Sequence, residues 1–225
     1  MNYRIEGGNL PVVIISLNAG ESLQCESGAM SWMTSGIKME TSTGGGVGKM
    51  FGRMITGESL MVNTYTAEQP GEIAFASSFP GSIKAVELNG NTFLAQKGAY
   101  LCHVGNVEYS VGIQKKVGGG FFGGEGFIMQ KFTGTGLVFL EVDGSAIEYD
   151  LAAGEKMIVD TGHTVMMDST INFDVQMVKG VKNVLFGGEG LFNTTLTGPG
   201  HIMLQTMPIS STAAIISRYI PTKGN

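Results

Sequence analysis

Charge is scarce in this chain. Only 15% of its 225 residues are Asp, Glu, Lys or Arg, where a globular protein usually carries about a quarter. Mean hydropathy is positive, at +0.16. A surface so short of charge is expected to cover part of itself with further copies of the chain. A basic excess is also missing: the net charge is −5 and the pI about 5.2. That balance excludes the broad positive field of a general nucleic-acid binder. Cysteine is limited to Cys25 and Cys102, at unmatched places in the pattern described below. Two thiols do not make a disulfide framework, and they read as small buried hydrophobes in a reducing compartment. The longest aliphatic run, Val12-Val13-Ile14-Ile15, is far too short to cross a bilayer. The opening residues, Met1 to Gly8, have neither the basic nor the apolar region of a secretory signal. Helical periodicity is confined to Thr212–Arg218.

Glycine is what the chain has in quantity, 35 residues, and it recurs in register. One set of landmarks is Gly20, Gly90 and Gly154, and a second follows eight residues later at Gly28, Gly98 and Gly162. A third is Gly57, Gly124 and Gly188, and a fourth Gly71, Gly136 and Gly200. From first to third the gaps are 37, 34 and 34 residues, and from third to fourth 14, 12 and 12. Four such coincidences imply an internal threefold repeat, with copies at 1–81, 82–144 and 145–225.

Between the landmarks, apolar and polar residues alternate with period two, the mark of half-buried strands. Val12–Leu17 runs into the turn Asn18-Ala19-Gly20-Glu21, and Ala146–Leu151 runs into Ala152-Ala153-Gly154-Glu155. In the middle copy Ile83–Leu88 meets a shorter turn, Asn89-Gly90. Hairpins are expected at Phe127–Phe132 with Leu137–Val142, and at Leu191–Leu196 with His201–Met207. Short strands with glycine between them predict an all-β chain of three tandem β-sandwich repeats. Each unit of that size is too small to stand alone and would lean on its neighbours.

The early L-x-x-G-E element and the later G-E-[GS]-L element, seen best in Arg53-Met54-Ile55-Thr56-Gly57-Glu58-Ser59-Leu60, resemble the altered inheritance of mitochondria protein 24 family. The resemblance covers nearly the whole chain. It implies a duplicated form of the β-sandwich of the tryptophan-regulated RNA-binding attenuation protein. It also implies a bacterial, cytoplasmic member of a family of oligomers without an assigned activity. The RNA-contacting residues and tryptophan pocket of the attenuation protein have no counterparts that can be placed here, so nucleic acid is not an expected partner.

Candidate sites are few. Gly44-Gly45-Gly46-Val47-Gly48-Lys49-Met50 looks like a phosphate loop, but Thr43 stands at its first glycine and Met50 follows its lysine. Glu58, Glu125 and Glu189 could form a carboxylate set. Each lies in its own glycine turn with Gly57, Gly124 or Gly188, however, where accepting backbone N–H groups is the simpler role. His103, His163 and His201 fall at three different repeat positions, without metal spacing. No cofactor and no enzymatic activity are expected. One pattern stands out. Segments 49–55, 115–122 and 179–186 hold Lys49, Arg53, Lys115, Lys116, Lys179 and Lys182 and no acidic residue. They carry +6, which leaves −11 on the rest of a chain whose total is −5. They also carry apolar pairs, among them Phe121, Phe122, Leu185 and Phe186. Such segments suit an anionic membrane surface or a protein partner; the alternative is a glycine-rich inner strand with its apolar pairs in a core or subunit interface. The expected function is a non-enzymatic oligomeric scaffold, a trimer by preference. The alternative is a small-ligand binder with pockets between repeats or subunits.

Overall fold

The structure, a computed structural model, describes residues 1–42, 62–115, 127–177, 192–217 and 219–220. In chain order its strands are β1 (Asn2–Glu6), β2 (Val12–Leu17), β3 (Ser22–Glu26), β4 (Trp32–Met33), β5 (Ile37–Ser42), β6 (Val62–Ala67), β7 (Gly71–Ala76), β8 (Gly81–Gln96), β9 (Tyr100–Lys115), β10 (Phe127–Asp143), β11 (Ala146–Leu151), β12 (Lys156–Asp160), β13 (Thr164–Asp168), β14 (Asn172–Met177), β15 (Phe192–Thr197) and β16 (Gly200–Gln205). A single α-helix among the described residues, α1 (Ile209–Ser217), follows them. The chain is mostly β, as its alternation of apolar and polar residues predicts.

The fold divides into two compact units that do not follow consecutive thirds of the sequence. Unit one comprises Met1–Gly90, Tyr100–Val107 and Gly134–Glu141, and unit two the remainder. In unit one a four-stranded sheet, β1-β2-β7-β4, lies against a second sheet in which β5, β6, β3 and stretches of β9, β10 and β8 follow one another. Inward side chains of the first, Val13, Ile15, Ile73 and Phe75, share one core with Leu23, Tyr65, Leu101 and Phe139 of the second. Tyr65 meets Phe75 edge to face with centroids 6.5 Å apart, and Tyr3 meets Phe139 at 5.0 Å. The edge strand β1 is fastened on the outer side, where Arg4 reaches Glu6 at 2.8 Å and Glu72 at 2.9 Å. That guanidinium holds the Glu72 carboxyl below its ordinary range.

Unit two repeats the plan. The three-stranded sheet β12-β15-β14 packs on one built from β11, β16, β13 and stretches of β8, β10 and β9. The hairpin expected at Leu191–Leu196 with His201–Met207 therefore does not form: β15 and β16 lie in different sheets, and the chain crosses between them. Met129, Met167, Phe173, Phe192, Leu196 and Ile202 fill the space between. Phe132 stacks on Phe93 at 5.1 Å and on Tyr109 at 5.8 Å.

The L-x-x-G-E turns at the two ends of the chain are the same object. Gly20 and Gly154 adopt φ of +84° and +78°, the left-handed region open to glycine. The Asn18 N–H donates to Glu21 Oε2 at 2.8 Å, and the Ala152 N–H to Glu155 Oε2 at 2.8 Å. Gly20 donates to Ala67 O at 2.7 Å and Ala67 back to Glu21 O at 3.0 Å; Gly154 and Gly198 do the same at 3.1 and 3.0 Å. Hydrogen bonding from Asn18 also lowers the Glu21 carboxyl pKa.

The middle of the chain behaves differently, and two expectations are corrected there. Asn91 stands where the turn glutamate would be, and the expected turn at Asn89-Gly90 does not close: β8 runs on through it. β9 likewise runs unbroken through Gly105. The hairpin expected around Thr133-Gly134-Thr135-Gly136 is one continuous strand, β10. The physical reason lies in the close approach of β9 and β10. A Cβ placed on Gly134, whose φ is +117°, would lie 2.2 Å from Asn106 O, and one on Gly136 would lie 2.1 Å from Val104 O. Glycine serves these backbones as a crossing point and not as a chain reversal.

The two roles of glycine separate by mutation. Gly20 has open space around its missing Cβ, so Gly20→Ala should cost only the left-handed backbone term, about 1 kcal/mol. Gly134→Ala adds a collision with the backbone carbonyl of Asn106 and should cost about 3 kcal/mol or more. Urea unfolding of the two variants measures the difference, and equal losses would contradict the crossing.

Candidate functional site

The segments singled out by their charge join strands that are neighbours in a sheet. Lys115 is the last residue of β9. Lys49, Arg53, Gly57, Glu58, Lys116, Phe121, Phe122, Gly124, Glu125, Lys179, Lys182, Leu185, Phe186, Gly188 and Glu189 lie outside the described residues. The strands on either side of them are described. β5 pairs with β6 out to Ser42 opposite Val62, and β14 with β15 out to Met177 opposite Phe192. β9 and β10 are adjacent in their sheet. The last described strand before each segment and the first after it are therefore neighbours in one sheet.

The strands that follow the segments share a pattern. Six residues beyond Gly57, Gly124 and Gly188 stand Asn63, Gln130 and Thr194, all buried polar side chains. Two residues further stand the core side chains Tyr65, Phe132 and Leu196. Thr41 Oγ1 donates to Asn63 Oδ1 at 2.9 Å, tying β5 to β6 close to the point of exit. The Thr194 hydroxyl donates to Thr161 Oγ1 at 2.9 Å, and the Thr161 hydroxyl donates to Phe192 O at 2.9 Å. Buried polar groups need such partners, and these fix the strand ends from which the basic segments spring.

The histidines do not gather. His103 is buried, with Nδ1 2.7 Å from Tyr100 Oη, while the phenol donates to Gln24 O at 3.1 Å. The ring nitrogen and the phenol oxygen share one hydrogen bond, whose direction the tautomer sets. Burial pushes the imidazole pKa down to about 4. His163 Nδ1 lies 2.6 Å from Gln205 O. His201 stands on β16 between Asp150 at 2.8 Å and Glu148 at 3.3 Å, both on β11. Among the described residues no three His, Cys, Asp or Glu side chains come together as a metal site.

Two features escaped sequence reasoning. Cys25 and Cys102 are direct partners across β3 and β9. The helix starts at Ile209, earlier than the periodicity predicts, because Asp143 accepts the Ile209 N–H at 2.8 Å. A cap contributed from that far along the chain leaves no local signal. α1 has no charged and no buried residue, and exposes Ile209, Ile215 and Ile216. No helix among the described residues is long and apolar enough to cross a membrane.

These features define an all-β protein of two sandwich units whose basic segments each link neighbouring strands. Residues 3–207 match the family described as Mitochondrial biogenesis AIM24, and the chain belongs to that family. It is 30% identical over 223 residues to the uncharacterized protein M6_Spy0233 of Streptococcus pyogenes serotype M6, covering 96% of this chain and 89% of the relative. The crystal structure of protein SPYM3_0169 from Streptococcus pyogenes superimposes with a TM-score of 0.79 at 27% identity, over 97% of this chain and 99% of that one.

His103 sets a pH dependence. Its folded pKa, about 4, lies below the ordinary 6.5, so the unfolded chain binds the proton first. The stability of a neutral buried imidazole is complete above pH 6.5 and is lost as pH falls from there towards 4. The loss is on the order of 3 kcal/mol at pH 4. Denaturant midpoints measured across that interval should fall in the native chain and flatten in His103→Gln; parallel slopes would remove His103 as the cause.

Proposed function

We propose that this protein is a non-enzymatic, oligomeric β scaffold that works at an anionic membrane surface from the cytoplasm. The observation that carries this reading is the charge distribution: +6 on three acid-free segments with apolar pairs, in a chain of net −5. The described strands on either side of each segment are neighbours in one sheet. Cations near anionic lipid contribute roughly 1 kcal/mol each, and apolar side chains add burial at the headgroup boundary. The uncharged, unburied helix α1 supplies a further apolar surface. The matching turns at Gly20 and Gly154, with the buried polar residues after each third landmark, support three copies of one attenuation-protein-like unit as the origin of the chain. Low charge favours self-association, and the threefold pattern makes a trimer our preferred form.

Co-sedimentation with vesicles containing anionic phospholipid tests the membrane reading. Binding is expected at low salt and should disappear near 0.5 M salt, where the screening length is only about 4 Å. Replacing Lys115, Lys116, Lys179 and Lys182 together by Glu should abolish it. Undiminished binding by that variant would overturn the proposal. Sedimentation equilibrium of the free protein measures the oligomer separately.

A further inference from the structure

We propose that Cys25 and Cys102 form a modification site: a thiol pair that a small-molecule disulfide oxidant converts to a cross-strand bond joining β3 to β9. The register places them. Leu23 faces Val104, Gln24 faces His103 and Cys25 faces Cys102 in an antiparallel pair. Directly opposed residues in such a pair have Cα atoms about 4.5–5.5 Å apart, inside the roughly 4.4–6.8 Å that a disulfide spans. Opposed side chains point to the same face of a sheet, and both thiols enter the unit-one core that also holds Leu23 and Val104. The two thiols sense each other, since Cys25 contributes to the raised pKa of Cys102. His103 follows Cys102 in the strand and points to the opposite face, so the pair is not part of a metal ligand set.

Both side chains are fully buried, and burial pushes the Cys25 thiol up to about 12. In the closed fold the thiols therefore stay protonated and out of reach. Reaction belongs to the folding chain, or to moments when β3 and β9 part. One protein thiolate then attacks a sulfur of oxidised glutathione and expels a glutathione thiolate, leaving a mixed disulfide. The second protein thiolate attacks the protein-side sulfur of that bond and expels the other glutathione. The protein loses two electrons and two protons, and one small disulfide becomes two small thiols. The product closes a loop from residue 25 to residue 102 without moving either strand.

The test refolds the full chain from denaturant in a mixture of oxidised and reduced glutathione, beside a fully reduced control. The expected product has lost two hydrogens by intact mass, has no alkylatable thiol after denaturation, and keeps the native far-ultraviolet spectrum. Its thermal midpoint should rise by about 5–10 °C, as expected for a long closed loop in a chain of this size. Cys25→Ser should instead gain one glutathione or remain reduced. Incubating the native protein with the same oxidant in urea below the unfolding transition gives the same readout without refolding. The proposal is overturned by two glutathione adducts on the native-sequence chain, by thiols that persist in both arms, or by an oxidised product that melts below the reduced one.

Discussion

Each unit is held together by the apolar inner face of its smaller sheet lying against the inner face of its larger one. In unit one Ile15, Ile73 and Phe75 come from one layer, and Leu23, Tyr65 and Phe139 from the other. A large side chain buried in this way contributes about 2–3 kcal/mol, and neither layer alone has anything to cover it. Strict alternation along the strands follows, because slipping the register by one residue would turn every core side chain towards water. The buried polar positions Asn63 and Thr194 survive within this scheme because each has a threonine hydroxyl as partner.

The second governing feature is the different fate of equivalent glycines. At Gly20 and Gly154 a glutamate four residues beyond the strand accepts a backbone N–H, and the chain crosses from one sheet of its sandwich to the other. At Gly90 the glutamate is missing and the strand continues. Gly134 and Gly136 then allow β10 to pass against the backbone of β9 with no side chain between them. The long strands β8, β9 and β10 consequently contribute residues to both units, while the two ends of the chain fold as shorter strands.

What could be read from the residues was whatever is decided locally. Val12–Leu17 and Ala146–Leu151 announce themselves by alternation, and their turns by a glycine and a glutamate at fixed spacing. The basic segments were equally legible as composition. What they touch lies outside the described residues. Features set by distant partners were hidden. Nothing near Cys25 indicates that Cys102 stands opposite, because the β3–β9 register is fixed by the shared core of Leu23 and Val104. Nothing near Ile209 announces a cap from Asp143. The continuity of β8 and β10 was misread because the glycines there have turn-like neighbours, and only the approach of another backbone shows why they are present.

The scattering of unit one along the chain bears on how it is made. Its core needs Leu101, Val104 and Phe139 as well as residues from the first ninety. A ribosome that has released only the first ninety residues has therefore delivered a set of strands whose apolar faces still await their cover. Closure must wait until residue 141 has left the exit tunnel. Throughout that interval the nascent chain exposes surface that a holdase could shield, and the order of synthesis, with no intermediate domain to complete, makes assembly a late event.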